Sequence, residues 1–166
     1  MAEKRGSAPE KSHEVLITRV FDAPRSLVFK VWTQPEHIKR WWGPKGYTAP
    51  FCTIDLRPGG SLLFCMRSPE GQDFWTTGVV REVVVPERLV YTDSFADEKG
   101  NRVPASHYGM PGDWPEETMV TVMFAEEESK TRVTLRQVGL PAAVRELAEA
   151  GWNESLDKVA EALATA

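Results

Sequence analysis

The final stretch of the chain, from Leu140 to Leu163, is a single long amphipathic segment that follows a body patterned as strands. That order forces a helix to lay its apolar stripe on a sheet, because neither element can leave its hydrophobic face in water. Val144, Leu147, Ala148, Gly151, Trp152, Ser155, Leu156, Val159 and Leu163 recur at steps of three and four, the stripe of an α-helix. Arg145, Glu146, Glu149, Glu154, Asp157, Lys158 and Glu161 mostly take the other side. A glycine inside a helix costs about 1 kcal/mol relative to alanine, so Gly151 on the buried stripe asks for a reason. Two are open: a neighbouring segment approaches closely, or a shallow spot beside the Trp152 indole shapes the wall of a pocket.

Ahead of this helix the punctuation is that of an antiparallel sheet. Glu14 to Asp22 is rich in Val, Ile, Thr and Phe and predicts a first strand, ended by Ala23-Pro24. Pro24 suits a helix start, and Leu27, Val28, Val31 and Trp32 mark its apolar face until Thr33-Gln34-Pro35. A second short helix, Glu36 to Trp42, stops at Gly43-Pro44. Strands are then expected over Tyr47 to Leu56, Ser61 to Arg67, Phe74 to Val85, Arg88 to Phe95, Thr118 to Ala125 and Thr131 to Val138. Between Ala96 and Glu116 the periodicity is lost, and a loop of that length in a compact domain is usually functional. The reading is α+β: a curved antiparallel sheet of about seven strands wrapped around a long C-terminal helix, with two short helices after the first strand.

Composition narrows the functional classes. With 166 residues, 42% hydrophobic and 27% charged, the chain has the size and balance of one globular domain, expected over residues 13–166 after a flexible polar tail, Met1 to Ser12. A net charge of -4 with no basic patch argues against nucleic acid as a partner. No apolar run is long enough to span a bilayer and no secretory signal opens the chain, so a cytoplasmic location is expected. Cys52 and Cys65 fit no metal spacing and the three histidines are scattered, so neither a metal nor another cofactor is expected. If Pro58 and Gly59 are the central residues of the intervening turn, the two cysteines face each other across a hairpin as reduced thiols.

Phe21-Asp22-Ala23-Pro24, Val28-Phe29, Trp32-Thr33, Trp41-Trp42-Gly43-Pro44, Asp55-Leu56-Arg57-Pro58-Gly59-Gly60 and the ending with Gly151-Trp152, in this order from about Val15 to Leu163, resemble the START-like superfamily. The resemblance is to the branch named after the activator of heat-shock protein 90 ATPase. It implies a helix-grip fold with a hydrophobic cavity between sheet and last helix. Members bind lipids, polyketides or hormones, act as cyclases or dehydratases, or serve as co-chaperone domains, so fold alone does not select an activity. The co-chaperone role is weakened by the expected lack of the extra amino-terminal domain that such activators carry.

The residues themselves offer no nucleophile elbow, no phosphate-cradling glycine loop and no His-Glu-x-x-His. No catalytic residue is therefore assigned. Glu126-Glu127-Glu128 and Asp97-Glu98 read as solvated turns. What remains is an aromatic and sulfur-rich lining: Trp42, Phe64, Met66, Trp75, Tyr91, Tyr108, Met110, Trp114, Gln137 and Trp152 are the ligand-binding candidates. Gln137 shares the inner face with Val133 and Leu135, where a buried amide needs partners or a ligand. Arg67, His107 and Asn153 are placed at the mouth. On the outer face, Leu63 and Cys65, with Cys52 and Ile54 across the hairpin, form a candidate self-association patch for a homodimer, or else a core buried on both faces.

The leading expectation is a binding module for a small hydrophobic ligand. An enzyme of the cyclase or dehydratase kind is the alternative, and it requires His107, or a carboxylate such as Asp93 or Glu117, to point into the pocket with a shifted pKa. A stress or co-chaperone type of protein-interaction domain is the third.

Overall fold

The computed structural model describes residues 14–166, and the expected tail over Met1 to Ser12 lies outside them. Strand β1 (Glu14–Phe21) leads into α1 (Arg25–Thr33) and α2 (Pro35–Trp41). Strands β2 (Thr48–Ile54), β3 (Ser61–Arg67), β4 (Asp73–Val84), β5 (Arg88–Ala96), β6 (Thr118–Glu127) and β7 (Lys130–Val138) follow, and α3 (Arg145–Ala164) closes the chain. All neighbours pair antiparallel in the order β1-β7-β6-β5-β4-β3-β2, so the first strand is stitched beside the last. Irregular pairing in β2 and in β4 near Val80 bends the sheet into a half-barrel around α3. No helix among the described residues is long and apolar enough to cross a membrane.

Alternation along each strand decides which side chains enter the half-barrel. Val15 and Ile17, Leu62 and Phe64, Leu89 and Tyr91, Val120, Val122 and Phe124, and Val133 and Leu135 are buried there in one cluster. The two short helices close one end. Trp32 and Phe29 meet the Phe124 ring edge-on, at 5.7 and 5.2 Å between centroids. The Trp41 indole donates to the Val31 carbonyl at 3.0 Å, which satisfies its only polar atom inside the core.

The long helix buries its apolar stripe unevenly. Ser155, Leu156, Val159 and Ala162, all in its second half, are its buried residues. Ala148, Gly151 and Trp152 are only half-buried, and Leu147, expected on the buried stripe, is 67% exposed. The second half is fixed by polar contacts as well as by apolar burial. Lys158 Nζ donates to the carbonyls of Gly43, Pro44 and Tyr47 at 3.0, 3.2 and 3.1 Å, and Ser155 Oγ donates to Gly43 at 2.8 Å. On the far flank Arg19 of β1 donates to Asp157 at 2.6 Å and to the Asn153 side chain at 3.1 Å.

The hairpin register differs from expectation by one residue. Asp55 N bonds to Ser61 O at 2.9 Å, so Cys52 pairs with Phe64 and Cys65 with Phe51. The turn is longer than a two-residue loop, and a one-residue shift sends side chains to opposite faces. Cys52 and Ile54 therefore join Phe64 and Leu62 inside, while Cys65 and Leu63 lie outside with Phe51. The proposed outer patch loses two of its four residues. Both cysteines are free, and burial pushes the Cys52 thiol up to about 12 and the Cys65 thiol up to about 11.

Two glycines make opposite demands. A Cβ on Gly78 of β4 would lie 1.8 Å from the Thr92 carbonyl oxygen, a backbone atom of the neighbouring strand. At Gly151 the only neighbour within reach is Pro44 Cγ at 3.5 Å, an ordinary contact, so the glycine faces the Trp42-Gly43-Pro44 loop and shapes no pocket wall. We predict that Gly78→Ala lowers stability by about 3 kcal/mol through forced strand separation. Gly151→Ala raises it by about 0.5 to 1 kcal/mol through helix propensity. Urea denaturation followed by tryptophan fluorescence checks both, and equal effects at the two positions would contradict the packing described.

Candidate functional site

Because the first half of α3 does not close on the sheet, a pocket of about 510 Å³ opens beneath it. Its floor comes from four adjacent strands, each contributing an inward position: Thr76 from β4, Asp93 and Phe95 from β5, Thr118 from β6 and Gln137 from β7. Leu140 and Ala148 form the helix side. The long β5–β6 connection supplies the remaining wall through Arg102 to Ala105 and Trp114 to Glu116.

That connection is ordered by its own bonds. A bridge pairs Ala96 with Arg102, and Val103 N donates to Phe95 O at 3.0 Å, which turns the chain back over the sheet. A short 3-10 turn, Ala105–Tyr108, follows. Trp114 then sets its ring edge against Phe95 at 5.0 Å and donates from its indole to Pro111 O at 2.9 Å. Gly112 sits so close to Pro141 that a Cβ would approach its ring carbon to 2.8 Å. Loop and helix entrance are thus joined by van der Waals contact.

A polar relay crosses the floor. Trp152 Nε1 donates to Gln137 Oε1 at 2.8 Å, and Gln137 Nε2 donates to Thr118 Oγ1 at 3.0 Å. This strut holds the half-buried part of α3 at a fixed height above β6 and β7. It also answers the question that a buried amide raises, since both ends of Gln137 find protein partners. Asp93 and Thr76 are different. Asp93 Oδ1 and Thr76 Oγ1 are buried and neither completes a hydrogen bond. Burial pushes the Asp93 carboxyl up to about 7, and the nearby Thr76 hydroxyl offsets this only in part. At the rim Arg102 is held by Glu117 at 2.7 Å and by Glu116 at 3.7 Å.

The ten residues singled out from sequence separate into groups. Trp114 and Gln137 line the pocket. Trp152 stands one hydrogen bond behind Gln137, and Trp42 stacks edge-on against both Trp152 and Phe64, at 5.8 and 4.6 Å. Tyr91 is core, Met66 packs beside Gly43, and Met110 is half-buried after the 3-10 turn. Trp75 pairs with Cys65 and so lies on the outer face, 5.5 Å from the Phe51 ring. Tyr108 Oη accepts from Trp75 N at 3.2 Å and donates to Ala96 O at 2.6 Å, beside a separate outer groove. His107 is exposed on that groove, Arg67 is paired with Asp73 at 2.7 Å, and Asn153 is bound to Arg19. None of these three stands at the pocket mouth.

Sequence reasoning missed Thr76, Phe95, Thr118, Leu140 and Ala148. The signal was in β5, where Leu89, Tyr91, Asp93 and Phe95 share one face, so that a carboxylate interrupts an apolar alternation. Among the described residues no cluster of three or more His, Cys, Asp or Glu side chains could hold a metal.

The sequence profile of the activator of Hsp90 ATPase homolog 1-like proteins matches residues 22–164. The chain belongs to this family. Solved structures agree with the assignment. A protein from Arthrobacter aurescens is 26% identical, with 94% of this chain and 88% of that one covered and a TM-score of 0.78. One from Nitrosomonas europaea is 25% identical over 93% and 96% of the two chains, with a TM-score of 0.75. One from Chromobacterium violaceum is 26% identical over 91% and 96%, with a TM-score of 0.74. No curated protein matches the sequence. Membership in this family of the START-like superfamily supports the general class of ligand-binding or co-chaperone-like domains.

Asp93 yields a sign-definite pH dependence. Its folded-state pKa lies above the usual carboxylate value, so the native state holds a proton that the unfolded chain gives up near pH 4. The native state is therefore progressively penalised as pH rises from about 4 to about 7, and above that the full penalty stands. We predict that Asp93→Asn stabilises the protein at about pH 8 by on the order of 2 to 4 kcal/mol, with the difference vanishing near pH 4. Thermal denaturation of both proteins across this range checks it. A pH-independent difference would contradict the buried carboxyl.

Proposed function

We propose that this protein binds a small, largely apolar molecule in the pocket between the sheet, the β5–β6 connection and the first half of α3. The observation that carries this reading is the pocket itself, about 510 Å³ with Phe95, Val103, Pro104, Trp114, Leu140 and Ala148 on its walls. That volume falls within the range of about 300 to 1,000 Å³ usual for small-molecule sites, and these apolar walls enclose a floor that carries Thr76, Asp93, Thr118 and Gln137, with Arg102 and Glu116 at the rim. Trp114 and Gln137 are the sequence candidates that would touch the ligand directly. Trp152 and Trp42 act behind them, by holding Gln137 and the helix in place.

A second reading, an enzyme of the cyclase or dehydratase kind, draws support from Asp93, a carboxyl inside the pocket with a pKa pushed up to about 7. Such a group can take a proton from carbon beside a carbonyl and return it. Deuterium exchange into the methyl group of 2-acetonaphthone, accelerated by the protein and not by Asp93→Asn, is the outcome this reading requires.

The binding reading predicts saturable fluorescence enhancement of the neutral probe N-phenyl-1-naphthylamine. Ala148→Trp, which fills the pocket from the helix side, reduces its affinity more than about tenfold while the thermal midpoint stays within a few degrees. Undiminished binding by a folded Ala148→Trp variant would put the site elsewhere.

A further inference from the structure

The polar atoms of the pocket floor are unequal in what they leave free. Gln137 has its carbonyl taken by Trp152 and its amide by Thr118, and Thr118 Oγ1 lies 3.4 Å from the Asp93 backbone carbonyl, within reach of its hydroxyl proton. The two atoms without a partner are Asp93 Oδ1 and Thr76 Oγ1, and both can accept a hydrogen bond. A carboxylate head group would meet the Asp93 carboxyl as a like charge and find a donor only in the Thr76 hydroxyl, whereas a head group that donates finds two acceptors.

Charge narrows the head group further. From β4, β6 and β7 the pocket presents Thr76, Thr118 and Gln137, and from the helix side Leu140 and Ala148, none of them charged. On β5 the only other titratable neighbour is Tyr91, whose phenol is pushed well above its usual range by burial and stays neutral. The connection contributes Arg102 and Glu116, and Arg102 is already shared between Glu116 and Glu117. Among the described residues no cation pairs with Asp93. A buried carboxylate without a counter-ion is costly, and a ligand that brings the positive charge removes that cost.

We propose that the pocket selects molecules bearing a protonated amine on an apolar body, with Asp93 as counter-ion and Thr76 as second acceptor. This rests on the reading of the pocket as a ligand site and names the class of ligand. Binding then requires Asp93 ionised, so affinity for an amine falls as pH drops through the Asp93 titration, while affinity for an uncharged isostere does not.

Three isosteric fluorescent probes test it: 2-naphthylmethylamine, 2-naphthalenemethanol and 2-naphthoic acid, titrated into the full chain at about pH 8 and about pH 5.5. At the higher pH the amine is expected to bind at least about tenfold tighter than the alcohol, and the acid weakest. At the lower pH the amine loses about thirty-fold, since roughly one and a half pH units lie below the Asp93 midpoint. Asp93→Asn is expected to erase both the amine preference and its pH dependence while the alcohol still binds. Equal binding of amine and alcohol, or an amine preference that survives in Asp93→Asn, overturns the inference and leaves the pocket reading intact. Absence of binding by all three, with N-phenyl-1-naphthylamine also silent, overturns both.

Discussion

Lys158 sends its ammonium into three backbone carbonyls of the loop between α2 and β2, and this clamp sets where the last helix can lie. A charged group coordinated by carbonyl dipoles is a short-range, directional tie, unlike the apolar contacts of Leu156, Val159 and Ala162 around it. With its second half fixed at that point and braced by Arg19 on the other flank, the helix cannot slide along the sheet. The first half then projects over β5 to β7 as a cantilever. Its height is set by the Trp152–Gln137–Thr118 strut, and the space beneath it is the pocket.

The same geometry explains why polar groups in the floor have different fates. Those next to the strut are satisfied by it, because the helix is near enough to supply an indole N–H. Asp93 and Thr76 lie farther toward β4, where the helix side offers only Leu140 and Ala148 and the one cation of the connection, Arg102, is taken by Glu116 and Glu117. Burial lifts the pKa of the Asp93 carboxyl, and the Thr76 hydroxyl returns only part of the lost hydration. Such local unfavourability is tolerated where something else completes the site.

Much of this was readable in the chain. The strand and helix bounds follow alternation and turn chemistry closely: Ser61 to Arg67 is the same in both, and most other ends differ by only one or two residues. Family resemblance and strand order together placed the long helix against the sheet. Two things were not readable. Hairpin register depended on whether Arg57-Pro58-Gly59-Gly60 closed as a two-residue or a longer turn, and one residue of difference moved Cys52 and Ile54 inward. The site depended on which part of an evenly patterned helix actually reaches the sheet, a matter of tethers at Gly43, Pro44 and Tyr47 that no periodicity encodes. Aromatic count alone did not mark out this pocket: Trp42, Phe64 and Tyr91 pack against the core and Trp75 lies on the outer face, whereas the lone carboxylate of an apolar strand face, Asp93, lines it.

The proposed site depends on the Asp93 carboxyl lining the pocket with no cation beside it among the described residues and with Oδ1 left without a partner. Titration of that carboxyl can be followed directly by carbon-13 NMR of the aspartate side-chain carboxyl, assigned by comparison with Asp93→Asn. A midpoint near pH 7 that drops on addition of 2-naphthylmethylamine is the predicted result. A midpoint near the ordinary value of about 4, unchanged by the amine, would contradict it.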